Sequence, residues 1–163
     1  LLQEAIEMKK LRVLLVDDEQ EFVETLADRL KMRDLETSTA HNGREALSAV
    51  KQGEPDVIVL DLKMPGIHGI EVLKRVKEAY PNVEVIILTG HGSEKDEQAA
   101  RDLGAFDYLR KPANLEALVS RIKNAFQRRM KKLERISIAA TFAEAGEPDM
   151  AREILEEKNK KDD

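Results

Sequence analysis

Val57-Ile58-Val59-Leu60-Asp61-Leu62-Lys63-Met64-Pro65-Gly66 joins four consecutive aliphatic residues to an aspartate and then to a Pro-Gly turn. Four apolar residues without alternation read as a strand covered on both faces, the pattern of a parallel sheet between helical layers. Pro65-Gly66 marks a loop, so Asp61 is set where the strand ends. Ligands of open parallel sheets bind at the carboxyl ends of strands. A carboxylate there can serve as metal ligand, general base or nucleophile.

Four similar runs surround this one, at 11–16, 35–40, 83–88 and 106–109, and each reads as a strand. Helical periodicity fills the intervals: Phe22, Val23, Leu26 and Leu30; Ala46, Leu47 and Val50; Ile70, Leu73, Val76 and Ala79. Strand and helix alternate five times, which predicts a doubly wound α/β fold. The second strand, Leu35-Glu36-Thr37-Ser38-Thr39, is polar enough to be an edge. The fourth helix opens with Ser93-Glu94-Lys95-Asp96-Glu97-Gln98 and offers only Ala99, Ala100 and Leu103 as an apolar stripe. So little burial, at about 25 cal/mol per Å², predicts a weakly anchored element that moves cheaply.

The chain of 163 residues accommodates one ordinary domain and an extension. The expected division is a tail or linker over 1–9, a domain over 10–128 and a helical extension over 129–163. In that extension the fifth helix continues until Gly146, and a short helix restarts at about Pro148, with Met150, Ile154 and Leu155 on one side. The end, 158–163, is expected to fray. A net charge of −5 argues against a broad nucleic-acid surface. The absence of cysteine excludes disulfides and thiolate chemistry and fits a cytoplasmic setting. No apolar stretch approaches the length of a membrane span, and the chain, which begins Leu1-Leu2, shows no signal peptide.

The other strand ends carry chemistry too. The first ends Val16-Asp17-Asp18-Glu19, the fourth Leu88-Thr89-Gly90 and the fifth Leu109-Arg110-Lys111-Pro112, so all fall on the edge that holds Asp61. Three carboxylates brought together repel one another, and a hard divalent cation with oxygen ligands relieves that repulsion. Magnesium suits such a site. Each residue has a plainer reading: Asp18 with Glu21 as a capping box, Asp61 as a loop anchor, Thr89 as a hydroxyl turn, Lys111 as a solvated lysine. Jointly those readings require four coincidences on one sheet edge. Adjacent acids after the first strand would repel a nucleotide phosphate, no P-loop sequence occurs, and Asp17-Asp18 lacks the Asp-x-Asp spacing of an aspartyl phosphatase. His41, His68 and His91 have no metal-ligand spacing and read as loop residues, with His91 two positions from Thr89.

Taken in order, Val13-Leu14-Leu15-Val16-Asp17-Asp18-Glu19, Asp61-Leu62-Lys63-Met64-Pro65-Gly66 with Gly69, Thr89-Gly90-His91-Gly92 and Lys111-Pro112 closely resemble the receiver domain of two-component response regulators. The resemblance covers about residues 10–128. It implies a five-stranded parallel sheet in the flavodoxin-like order 2-1-3-4-5. It implies that Asp61 is the phosphoacceptor, taking a phosphoryl group from a sensor histidine kinase, a phosphotransfer protein or a small acyl phosphate. Asp18 and Asp61 would ligate Mg2+, Asp17 through water and Lys63 through its backbone carbonyl. Lys111 would pair with the phosphoryl oxygens, Thr89 would hydrogen-bond them, and Tyr108 would turn inward as the fourth helix shifts. Gly90 would leave the pocket open, and the Lys111-Pro112 bond is expected to be cis. The phosphate logic is consistent, since phosphoryl transfer needs positioning and charge neutralisation above all.

Three functions follow as expectations. The first is a phosphorylation switch whose surface of fourth helix, fifth strand and fifth helix controls a protein partner or a homodimer, the C-terminal helices offering a second dimer contact. The second is a piece of a DNA-binding transcription regulator whose output module lies elsewhere, with no direct nucleic-acid contact by this chain. The third, a phosphatase acting on outside substrates, is disfavoured; the chain is expected to catalyse only its own phosphorylation and dephosphorylation.

Overall fold

A computed structural model describes residues 10–157; the expected tail at 1–9 and the fraying end at 158–163 lie outside the described residues. The strands are β1 (Arg12–Val16), β2 (Glu36–Ala40), β3 (Val57–Leu60), β4 (Glu84–Thr89) and β5 (Asp107–Arg110). The helices are α1 (Gln20–Lys31), α2 (Gly43–Gln52), α3 (Gly69–Ala79), α4 (Glu94–Asp102), α5 (Leu115–Glu144) and α6 (Pro148–Glu156). All strand pairs are parallel, in the order β2-β1-β3-β4-β5, as expected. Because β1 neighbours both β2 and β3, the chain reverses its winding beside β1, which opens a crevice at the carboxyl ends of β1 and β3. Register places Val16 opposite Leu60, Leu60 opposite Ile87, and Thr89 opposite Arg110. The residues that follow Val16 and Leu60 therefore emerge side by side.

The polar β2 is an edge strand, which explains why it tolerates Thr37, Ser38 and Thr39. Alternation divides the central strands between two layers. Leu14, Val16, Ile58, Leu60, Val85 and Ile87 join Val50, Val72, Val76, Ala100 and Tyr108 in one buried cluster. Leu15, Val59 and Leu88 face the opposite layer beside Phe22, Val23 and Leu26 of α1. Leu118 and Ile122 of α5 are fully buried.

Helix α4 buries only Ala100, with Leu103 packed partly against the core. Its start is nevertheless secured by a reciprocal capping box. The Asp96 amide donates to Ser93 Oγ and the Ser93 amide donates to Asp96 Oδ2.

The chain divides into two compact units after Phe126, and the 30-residue α5 passes through the boundary. In the first unit this helix buries Leu118, Val119, Ile122, Ala125 and Phe126. In the second unit α5 ends at Glu144, and the turn that follows contains Gly146, whose φ of 82° lies in the left-handed region that favours glycine. There the Glu147 amide donates to the Phe142 carbonyl, closing the helix end. Pro148 then opens α6 at its first position. Ala139 and Ala151 are buried, whereas Ile136, Ile138, Met150 and Leu155 are exposed. Among the described residues, no helix is long and apolar enough to cross a membrane.

Candidate functional site

Asp17 and Asp18 follow β1 and Asp61 follows β3, the two strands that sit side by side at the centre of the sheet. Backbone bonds fix these positions: the Asp61 amide donates to the Val16 carbonyl and the Asp17 amide to the Ala40 carbonyl. Carboxylate oxygens of Asp17, Asp18 and Asp61 all lie within 4.8 Å of one another. Asp17 and Asp61 are each 4% exposed, and Asp18 faces solvent.

The capping-box reading of Asp18 does not hold. The residue that caps α1 is Glu19, which makes no side-chain capping bond and whose amide donates to Asp17 Oδ1 at 2.9 Å. Asp18 is thereby left at the cluster instead of at the helix start.

Lys111 arrives from the end of β5 and reaches across the crevice. Its ammonium donates to Asp17 Oδ2 at 2.6 Å and lies 3.3 Å from Glu19 Oε1, with the Phe22 ring 4.4 Å away. This excludes a merely solvated lysine. Burial pulls its pKa down, but the hydrogen bond and charge of Asp17, with the charges of Asp61 and Glu19, outweigh burial and leave it raised. The Lys111-Pro112 bond is cis.

Asp61 is held above the ordinary carboxylate range, first by burial and then by the charge of Asp17. The Lys111 charge, the Thr89 hydroxyl and the Leu62 amide, which donates to Asp61 Oδ1 at 2.9 Å, offset this only in part. The anionic cluster is thus under-compensated by the chain's own cations. That unmet charge, on hard oxygen donors within reach of one another, fits a small divalent cation. Lys63 is exposed on the loop two residues beyond Asp61.

Thr89 is fully buried at the end of β4, and its hydroxyl accepts from the His91 amide at 3.3 Å. The turn reading of Thr89 and its proximity to Asp61 are therefore both realised. Gly90 is exposed beside the Lys111 stem, and a Cβ there would meet it at 3.8 Å, an ordinary contact. Gly69 has a stricter task. A Cβ on it would lie 2.4 Å from the Asp61 carbonyl, so the start of α3 can rest against the Asp61 loop only where the side chain is absent.

Tyr108 is buried, and its ring points into the cluster that includes Val85, Ile87 and Ala100. Burial, followed by the charge of Asp96, raises its phenol pKa. Of the histidines, His68 caps α3 by accepting from the Ile70 amide at Nδ1 and His91 is exposed; neither joins the acidic cluster. Two participants escaped the sequence reading. Glu19 contacts Lys111, and the Arg110 guanidinium donates to the Gly92 carbonyl at 3.0 Å. The Asp17-Asp18-Glu19 run signalled the first, but nothing in the sequence pairs positions 92 and 110.

Comparison with known proteins converges with this geometry. Residues 13–123 match the response regulator receiver domain family. The chain is 33% identical over 147 residues to the transcriptional regulatory protein YkoG of Bacillus subtilis, an alignment covering 90% of this chain and 64% of that protein. The chain thus spans less than two thirds of that regulator's length. A CheY-like receiver domain protein from Methanospirillum hungatei superposes with a TM-score of 0.74 at 25% identity, over 76% of this chain and 99% of the other. A receiver domain from Clostridium thermocellum gives a TM-score of 0.70 at 36% identity, over 76% and 98%. The cluster at the ends of β1, β3, β4 and β5 stands on a matching sequence and a matching fold, and the chain belongs to the response regulator receiver domain family.

Proposed function

We propose that the chain is a phosphorylation switch in which Asp61 is the phosphoacceptor. The observation that carries this reading is the meeting of Asp17, Asp18 and Asp61 within 4.8 Å, with the Lys111 ammonium locked onto the same cluster. An Asp61 carboxylate oxygen attacks phosphorus of a phosphohistidine on a sensor histidine kinase or phosphotransfer protein. An O–P bond forms and the P–N bond breaks, its electron pair returning to the imidazole. Asp17, Asp18, Asp61 and the Lys63 carbonyl would hold Mg2+. When bound, the metal would neutralise charge on the phosphoryl oxygens as the group transfers. Lys111 supplies a second positive charge at the same cluster, and the Thr89 hydroxyl offers a donor to the new phosphoryl group.

Thr89 and Tyr108 would then relay the state of Asp61 to the surface of α4, β5 and α5. Residues 10–128 form the receiver and 129–163 the helical extension in this reading. The setting is cytoplasmic, and the output is a protein partner or a homodimer formed through that surface or through the C-terminal helices. A second reading has a specific support: YkoG is a transcriptional regulatory protein longer than this chain. On that reading the receiver controls a DNA-binding module outside the present sequence.

Incubation with Mg2+ and acetyl phosphate tests the shared core of both. An acid-stable, hydroxylamine-sensitive adduct is expected in the parent and none in Asp61→Asn. No adduct in the parent, or an equal one in the variant, overturns the assignment of Asp61.

A further inference from the structure

The Phe22 ring lies where two spaces meet. It lines a cleft of about 680 Å³ between α1 and the start of α5, together with Leu26, Leu88, Pro112 and Leu115. It also borders a smaller gap shared with Asp17 and Asp61. The Lys111 ammonium stands over its face, 4.4 Å from the ring centroid, within the distance at which an aromatic quadrupole attracts a cation. Phe22 is half-buried in the first turn of α1, so the helix that starts beside the acidic cluster carries the ring to the lysine.

Three contacts hold this ammonium, and they differ in kind. Asp17 Oδ2 at 2.6 Å and Glu19 Oε1 at 3.3 Å are anionic, whereas the ring is neutral. The Asp17 bond competes with the cluster's other task, because Asp17 is one of the three carboxylates within 4.8 Å of one another that would hold Mg2+. A carboxylate engaged by a divalent cation holds an ammonium less well, and the two positive charges repel. Glu19, 62% exposed at its side chain, would then draw the lysine outward toward water. The flexible four-carbon stem of lysine does not oppose that move. The attraction of the ring survives, since it depends on no carboxylate, and it leaves the positive charge uncompensated for another anion.

We infer that Phe22 is a positioning residue, whose ring face keeps the Lys111 ammonium beside the acidic cluster when Asp17 is engaged by a cation. An aliphatic side chain of similar size would fill the same space without that attraction. The consequence for phosphoryl transfer rests on the reading of Asp61 as phosphoacceptor. The contact itself does not.

Two measurements separate the contact from its consequence. In NMR of the lysine side chains, Lys111 is assigned as the signal missing from Lys111→Ala, and a group held over an aromatic face resonates upfield of its ordinary position. That upfield displacement is expected in the parent, should persist at saturating Mg2+, should be kept by Phe22→Tyr and should be lost in Phe22→Leu. A displacement that collapses in the parent when Mg2+ is added, or one that remains in Phe22→Leu, overturns the inference whether or not Asp61 takes a phosphoryl group. The second measurement is the rate of adduct formation with Mg2+ and acetyl phosphate. Phe22→Leu should slow it about 2- to 30-fold, the range to which a cation–π attraction converts, and Phe22→Tyr should restore it. In a Lys111→Ala background Phe22→Leu should have no further effect, a result that a merely structural ring would not give. Equal slowing in both backgrounds, or a tyrosine variant as slow as the leucine one, overturns the positioning role. Absence of any adduct in the parent counts against Asp61 instead, and the lysine signals then decide the contact.

Discussion

The Lys111 ammonium donates to Asp17 Oδ2 at 2.6 Å, and this one bond spans the crevice from the end of β5 to the end of β1. Glu19 lies farther from the same ammonium, at 3.3 Å, and is 62% exposed at its side chain where Asp17 is 6%. The two carboxylates are therefore not equivalent partners. A screened, exposed contact contributes less than about 1 kcal/mol, whereas a sheltered hydrogen bond between charged groups contributes about 1.5–3 kcal/mol.

Lys111→Ala should accordingly lower the stability of the metal-free protein by about 1.5–3 kcal/mol, and Glu19→Ala by less than about 1 kcal/mol. The raised pKa of Lys111 fixes the pH sense. Its contribution is fully present below 10.5, its unfolded value, and is lost as pH rises through the higher folded value. Loss of the lysine also leaves the carboxylates less compensated, so Mg2+ should raise the Tm of Lys111→Ala more than that of the parent. Urea melts at neutral pH, with EDTA or with Mg2+, check both statements. Equal costs for the two substitutions would show that the shorter contact carries no special weight.

Asp61 points the other way. An unfolded Asp61 ionises near 3.8, and burial with the Asp17 charge raises the folded value. Between those values the unfolded chain has released its proton while the folded chain retains it, so stability falls as pH rises through that window and stays reduced above it. Asp61→Asn removes the effect. The variant should melt at a higher temperature than the parent in EDTA at pH 7, and the difference should shrink toward zero as pH drops below 3.8. Mg2+ should stabilise the parent and do little for the variant. A variant less stable than the parent at pH 7 in EDTA would contradict the cost assigned to the buried charge.

The fold could be read from the sequence because its signals are local. Val57-Ile58-Val59-Leu60 needs no partner to be recognised as a strand buried on both faces, and the polar β2 announces an edge. The acidic cluster was legible because strand ends of a parallel sheet share one edge, so position in sequence becomes position in space. The Asp18–Glu21 capping box was misread because the helix starts one residue later: Glu19 takes the cap position, and its amide donates to Asp17 Oδ1. The Arg110–Gly92 bond lies wholly in tertiary geometry. Gly92 alone reads as an ordinary loop glycine.

The capping box of α4 was also invisible as an energetic fact, although Ser93 and Asp96 stand at the right spacing. With Ala100 its one buried residue, α4 depends on its start more than a well-packed helix does. Ser93→Ala should cost about 0.5–2 kcal/mol, and amide exchange within α4 should accelerate more than in α3. Uniform acceleration across both helices would mean that α4 does not open as a separate unit.

Helix α5 offers an internal contrast, because one continuous helix passes from the first compact unit into the second. Ile122 is 0% exposed and Ile136 is 44% exposed. Truncating a fully buried isoleucine removes apolar contacts and leaves a cavity, so Ile122→Ala should cost about 2–5 kcal/mol. Ile136→Ala should fall within about 0.5 kcal/mol of the parent if its exposed face meets only water. Because alanine is the better helix former, a small gain in stability is admissible there. The informative measurement is therefore the concentration dependence of the melt. An Ile136→Ala cost that appears only at high protein concentration would identify the exposed Ile136 face as a self-association surface. A cost independent of concentration would place the contact within one chain.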